Sequence, residues 1–332
     1  MLKASDIASA LSGETLREHV KLAKNKRGAV AEGLIYEQTI MMIAADPGLG
    51  KSTISTQVAI ELAAGLPVFG HFKPPRPMRV MYIQSERNII EFEERLEVLS
   101  KSLPIHYENL YVTDEFQKLN FLKPEHVDIF VECVKRDCAD GVDIIFVDPL
   151  YSMVSGGLKD DLPASALTKA MSYVQKETKA VLWYNHHTTK TQYTNRGDAI
   201  EKFDPFYGSQ WLKAHVTGSY YMAKADGGVK LIEKKDNYNL LPPEITLEYD
   251  PETELCYVPG ENMTALQKVE RFLHMREIDQ KTFGFDEIQA QTDLCNKTLR
   301  TVLLHRSISD RLSVTTASRG KKLYKISSQK TS

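Results

Sequence analysis

Between Met41 and Ala64 the chain reads MMIAADPGLGKSTISTQVAIELAA: an apolar run, a glycine-bearing turn, and a Lys-Ser-Thr that opens a helical pattern. Read as strand, loop and helix, Asp46, Pro47, Gly48, Leu49 and Gly50 form a loop that cradles phosphate. In such a loop successive backbone N–H groups converge on one point, and the positive end of the following helix faces the anion. Lys51 reaches the β- and γ-phosphates, Ser52 offers its hydroxyl to Mg²⁺, and Thr53 lies beside it in the first turn. Ala45 stands where the G-x-x-x-x-G-K-[ST] pattern has its first glycine, a departure from it. The expected ligands are ATP and Mg²⁺.

Three further strand ends carry polar groups of the right kind. Asp148 closes the apolar run VDIIFV and can hold Mg²⁺ directly or through water. Glu86 follows RVMYIQS, where a carboxylate could orient and deprotonate the water that attacks the γ-phosphate. The plainer alternative for Glu86 is a helix-start acid, with Ser85 as the cap. Asn185-His186-His187-Thr188-Thr189-Lys190 ends AVLWYN, and His186 there is placed to sense the γ-phosphate. All strand tips of an open α/β sheet open on one ligand crevice, so these groups should meet.

The elements needed to bring them together are legible. RVMYIQ, a segment near Leu110–Val112, VDIIFV and AVLWYN read as buried strands. Helical patterns fall at Ser52–Ala64, Asn88–Leu103, Pro124–Cys138 and Leu167–Thr178, between those strands. The alternation predicts an α/β fold with a mostly parallel sheet and flanking helices. From about Thr217 the pattern turns to two-residue alternation with Asp226-Gly227-Gly228 and Pro242-Pro243 turns, predicting antiparallel strands that finish the sheet. Residues 1–30 read as a polar helical segment broken at Ser12-Gly13-Glu14, residues 31–258 as the main domain, and 263–332 as a small C-terminal domain.

Composition excludes several classes. Hydrophobic residues make up 42% and charged residues 26%, ordinary for a folded chain rather than a disordered one. Cys133, Cys138, Cys256 and Cys295 have neither CxxC spacing nor a His pair in register, so they read as reduced packing residues. Residues 1–30 are charged throughout with no apolar core, and no run approaches the ~20 apolar residues of a membrane span, so the expectation is a cytoplasmic protein without membrane partners. The net charge of -2 is unevenly spread: residues 296–332 carry +8 and the remainder -10, which points to an anionic partner at the C-terminus.

Together, ADPGLGKST, the Glu of YIQSER, the Asp of IIFVDPL and the strand ending NHHTTK resemble the RecA-like ATPases of the RepA-type hexameric replicative helicases of plasmids and phages. The resemblance spans about residues 30–250, with YGSQWL as a further match. It implies a RecA-like core, ATP hydrolysis between subunits of a hexamer, and movement on single-stranded DNA. It carries Lys51, Ser52 and Thr53 over as nucleotide and Mg²⁺ contacts, Asp148 as the second Mg²⁺ ligand, Glu86 as catalytic base and His186 as phosphate sensor. Where the family commonly has an arginine finger this chain has Tyr207. Lys234 and Lys235 resemble basic residues sent across the subunit interface, and Lys190 and Arg196 are further trans-acting candidates.

The C-terminal region resembles a winged helix-turn-helix domain of three helices and a two-stranded wing. DLCNKTLRTVLLHRS would supply the turn and recognition helix with Lys297 and Arg300 exposed, and Arg319, Lys321 and Lys322 would form the wing tip. Basic groups at those places meet phosphate and base edges of duplex DNA. The alternative to a helicase or translocase is an ATP-controlled DNA-binding regulator or loader that separates no strands.

Overall fold

The computed structural model describes residues 12–14, 27–85, 88–154, 161–188, 210–251, 253–259, 265, 268–269, 272–273, 276, 282–292, 294–316 and 322–326. The described chain opens with a hairpin, β1 (Ala29–Ala31) and β2 (Ile35–Tyr36), paired antiparallel. It continues β3 (Ile40–Ala45), α1 (Lys51–Ala64), β4 (Val80–Gln84), α2 (Ile89–Ser100), β5 (Leu110–Thr113), α3 (Pro124–Asp137), β6 (Ile144–Asp148), α4 (Asp161–Thr178) and β7 (Val181–His187). Then come α5 (Gln210–His215), β8 (Gly218–Ala225), β9 (Gly228–Asp236), β10 (Glu244–Asp250) and β11 (Leu255–Tyr257).

Nine of these strands form one sheet in the order β11-β10-β9-β8-β3-β7-β6-β4-β5. The pairs from β5 to β8 are parallel, and β9, β10 and β11 follow antiparallel. The α/β fold with a mostly parallel sheet is therefore the observed one. One strand departs from expectation: β8 belongs to the parallel set, beside the strand that feeds the phosphate loop. Two-residue alternation reports a half-buried strand but not the direction of its neighbour, and β8 has one neighbour of each sense.

Helices cover both faces of the sheet. Met41, Ile43 and Ala45 of β3 pack with Ile54, Val58 and Leu62 of α1, together with Tyr82 and Trp183. Ile40, Met42 and Ala44 face the other way, onto Phe130 of α3 and Leu167, Met171 and Val174 of α4. Eleven of the fourteen residues of α1 are buried, so its polar side chains must find partners inside the protein. Gly65 stops the helix in the left-handed conformation, at φ 71°.

Two local expectations are corrected. Gly13 and Glu14 are helical, so no break lies at those two residues. β1 starts at Ala29, and Val30 and Ala31 are buried against the sheet's core. The helix read over Leu167–Thr178 begins at Asp161, since Leu162-Pro163 sits in its first turn, where proline is tolerated.

Near the C-terminus lie β12 (Phe283–Gly284), α6 (Phe285–Thr292), α7 (Asn296–Leu303), α8 (Arg306–Ser309), β13 (Leu312–Thr316) and β14 (Lys322–Ile326). The strands form an antiparallel sheet in the order β12-β14-β13, so the expected two-stranded wing has a third strand. Phe283, Ile288, Leu299, Val302, Ile308 and Tyr324 bury one another in a cluster of their own. The recognition helix expected within DLCNKTLRTVLLHRS ends at Leu303, and a second helix follows the turn at Leu304-His305, which lets Ile308 enter that cluster.

Candidate functional site

The phosphate loop joins β3 to α1. Ala45 ends β3 as an ordinary buried strand residue, which is why alanine serves there in place of glycine. The positions that need a left-handed backbone are Gly48 and Gly50, at φ 83° and 82°, and both keep glycine. Gly50 caps α1 with no side chain of its own to bond the first-turn N–H groups, and that turn carries no acid. Those N–H groups and the helix dipole therefore present positive potential into the loop, with Lys51 buried at its base. Thr188 at the end of β7 donates a hydrogen bond to Asp46, tying the loop to the neighbouring strand tip.

Asp148 ends β6 on the α1 face of the sheet and is buried. The Tyr82 phenol donates to its Oδ2 at 2.6 Å. Burial, then the Asp148 charge, hold that phenol far above its ordinary pKa, so it remains a donor. One carboxylate oxygen is thereby held by the phenol, and Ser52 supplies a hydroxyl in the first turn of α1. A hard cation asks for such oxygen donors, so Ser52 and Asp148 fit Mg²⁺. Tyr82→Phe keeps the shape and removes this support; the expected result is a folded protein that melts somewhat lower, because a buried carboxylate loses a donor, with kcat lowered about tenfold or more, as for a lost outer partner of a metal ligand. Phosphate release and thermal unfolding on one preparation check it.

The tip of β4 is tied to that of β6. The Ser85 amide donates to Asp148 O at 2.9 Å, its hydroxyl donates to Pro149 O at 2.6 Å, and the Ser152 hydroxyl donates to Ser85 Oγ at 2.7 Å. Ser85 is therefore not the cap of the next helix. Asn88 is: its side chain accepts from the Glu91 amide at 3.3 Å, and the first-turn acid is Glu91. Glu86 lies outside the described residues, two positions ahead of that cap.

A cation that sequence reading missed stands at this tip. Arg95 of α2 donates through Nη2 to Gln84 Oε1 at 3.2 Å, and its guanidinium lies 5.8 Å from the Phe92 ring. Its Nε is buried with no hydrogen-bond partner. Arg95 lines a cavity of about 940 Å³ with Gly50, Thr53, Glu94, Tyr249 and Cys256, directly against the start of α1. The sequence did hold a signal: Arg95 lies between Phe92 and Leu99, the buried residues of α2, so a cation sits on the core-facing stripe.

Alternation along β7 separates the two histidines. Asn185 faces α1, where its Oδ1 accepts from the Ser55 hydroxyl at 2.8 Å, and Ser55 in turn accepts from Trp183 Nε1 at 3.2 Å. His187 shares the pleat of Asn185, with its ring 4.9 Å from that of Tyr151. His186 is fully buried on the opposite pleat.

The remaining candidates fall elsewhere. A bulge sets Ser219 opposite Lys235 and Tyr220 opposite Glu233, so Lys234 is the extra residue, and it is exposed. Lys235 donates to Lys213 O at 2.8 Å and Ala214 O at 2.9 Å, at the end of α5. Beside it His215 is driven down to about 4, first by burial and then by the Lys235 charge. Lys190, Arg196 and Tyr207 lie outside the described residues. Lys297 and Arg300 are exposed on α7 while Leu299 and Val302 are buried, and Lys322 is exposed at the start of β14. Arg319 and Lys321 lie outside the described residues.

A model of the AAA domain matches residues 15–193, more than half of the chain, and takes in the phosphate loop, Asp148 and the tip of β7. The chain belongs to the AAA-domain family. Among solved structures, this AAA-domain chain is similar to a KaiC-like protein from the hyperthermophilic archaeon Pyrococcus horikoshii OT3, at 11% identity and a TM-score of 0.48, over 70% of this chain and 99% of that one. No curated protein matches it in sequence. The protein thus joins an AAA-domain family match to an α/β fold with a mostly parallel sheet. Among its described residues no helix is long and apolar enough to cross a membrane.

Proposed function

We propose that this chain is a ring-forming, ATP-hydrolysing motor on DNA, a replicative helicase or translocase of the RepA type. One observation carries the hydrolytic part. On the α1 face, Asp148 is held by Tyr82 at the tip of β6, and Arg95, held by Gln84 at the neighbouring tip of β4, lines the cavity beside Gly50 and Thr53. A loop that only stored nucleotide would need neither.

In this reading the first-turn N–H groups of α1 and Lys51 bind the β- and γ-phosphates, while Thr53 and the adjoining cavity take the rest of the nucleotide. Ser52 and Asp148 would hold Mg²⁺, which when bound neutralises phosphate charge. Glu86, on the tip that Ser85 anchors, orients the attacking water and takes its proton. Arg95 supplies positive charge to the transferring phosphoryl group from the same chain. His187, rather than the buried His186, reports phosphate occupancy, because its pleat faces α1. Lys234 is the stronger candidate for contact with a neighbouring subunit's site, since the Lys235 ammonium already holds the end of α5. The hexamer would pass single-stranded DNA through its centre.

The small C-terminal domain, residues 263–332, is proposed as a winged helix-turn-helix that grips duplex DNA. Its support is the placement of Lys297 and Arg300 on the exposed side of α7, and the +8 charge of residues 296–332. If Lys297, Arg300, Arg319, Lys321 and Lys322 all meet phosphate, the log–log salt slope of duplex binding should be roughly -4 to -5. Replacing Arg319, Lys321 and Lys322 with Ala should flatten it by about three units. Truncation after Pro259 should leave ATP binding intact and remove duplex binding. Salt-titrated duplex affinity for the three proteins, with mass in solution plus ATP, tests this. Duplex affinity unchanged by truncation would reassign the C-terminal domain to protein docking, and a monomer with full turnover at every concentration would end the ring reading.

A further inference from the structure

On the flank of α1 facing away from the phosphates, a buried side chain is bonded to a strand as another strand would be. Gln57 Nε2 donates to Cys256 O at 2.7 Å, and Gln57 Oε1 accepts from the Cys256 amide at 2.9 Å. The second Nε2 hydrogen goes to Glu61 Oε1 at 2.9 Å, so the orientation of the amide is fixed by its surroundings. Glu61 Oε2 accepts from the Phe69 amide at 2.9 Å, and Phe69 O accepts from the Val258 amide at 3.1 Å. β11 is the edge of the large sheet, paired on one side with β10. Gln57 covers the backbone of its other side, a task usually left to water or a guarding charge. Gln57 is 1% exposed and Glu61 4% exposed, so each partner lost would leave a buried polar group unpaired.

Cys256 has a second role. It lines the cavity beside the phosphate loop, together with Gly50, Thr53 and Ile54 from the first turn of α1. Burial, and after it the Glu61 charge, push its thiol up to about 11, so it meets a ligand as a neutral group. The cavity therefore has one wall on α1 and another on β11, and the Gln57 amide joins them. β11 is also the last strand before Val258, Pro259 and the C-terminal residues.

We propose that Gln57 is a positioning residue: it makes the phosphate-loop helix and β11 one unit, so that nucleotide in the cavity tightens the strand from which residues 258–332 lead. This rests on the nucleotide site proposed above. Ligand held at once by the first turn of α1 and by Cys256 favours the state in which the two walls are joined. By linkage, the opening that frees the Cys256 amide becomes rarer when ligand is bound.

The experiment is amide hydrogen exchange at residues 255–257 of the full chain, with and without saturating ADP, in wild type and in Gln57→Leu. ADP affinity is measured in parallel by equilibrium titration. In wild type ADP should slow exchange of the Cys256 amide by about tenfold, within the usual range of coupling between sites. Gln57→Leu should still bind ADP, weakened by no more than the same tenfold that linkage sets, yet show no ADP-dependent change at 255–257. A role confined to stability would speed exchange equally with and without ADP and leave the response in place. Wild type that binds ADP with no change at 255–257 overturns the proposal, as does a Gln57→Leu protein with the full response. The wild-type comparison alone can overturn it, so a variant that failed to fold would not shelter it. Wild type that binds no ADP at all would instead sink the nucleotide reading beneath it.

Discussion

Replacing Lys51 with Ala should abolish ATP turnover and leave the fold standing. Lys51 is the one lysine of the loop, buried where the first-turn N–H groups of α1 converge, and no acid in that turn offsets the helix dipole. Its loss removes the fixed charge that the departing phosphate leans on, and kcat should fall by roughly 10³-fold or more, at the upper end for a principal electrostatic stabiliser. Alanine suits a helix, and the other buried residues of α1 keep their contacts, so secondary structure and melting should change little. Phosphate release and circular dichroism on the same sample decide it. Turnover near wild type would mean that another site does the chemistry.

Arg95→Ala should cost roughly 10²- to 10³-fold in kcat, with a smaller loss of nucleotide affinity, because its charge acts on the transferring group rather than on the bound ground state. Arg95→Lys should recover little. A lysine keeps the charge but lacks the planar fork with which Arg95 holds Gln84 and still has N–H groups to spare. The same variant tells cis from trans. Lys51 and Arg95 serve one site in one chain, so mixing Lys51→Ala with Arg95→Ala subunits should restore nothing. Lys51→Ala mixed with a Lys234→Ala/Lys235→Ala chain should regain activity at hybrid interfaces. Recovery in the first mixture would move Arg95 across an interface.

How much of this was legible follows from which forces act locally. The phosphate loop could be read because glycine at Gly48 and Gly50 answers a backbone requirement, and α1 because its pattern begins at once. The buried strands showed as continuous apolar runs for the same reason: they are covered on both faces. Four features escaped, three for want of a local signature and Arg95 because its place on the stripe of Phe92 and Leu99 went unread. Tyr82 reads as one more apolar residue of RVMYIQ until β6 brings Asp148 within 2.6 Å of its phenol. Arg95 reads as one charge among the acids of a surface helix until Gln84 and the cavity give it a side. His186 and His187 differ by a single step of the pleat, and only the register of β7 against β3 says which faces α1. The parallel setting of β8 depends on a crossover that no residue of β8 encodes.

Phosphate release from ATP, measured on the full chain with and without single-stranded DNA at one fixed salt concentration, tests the central claim most directly. Mg²⁺-dependent turnover that rises with single-stranded DNA, and that Lys51→Ala lacks in both conditions, is the predicted result. Turnover no greater than that of Lys51→Ala, or turnover indifferent to DNA at every protein concentration, would contradict it.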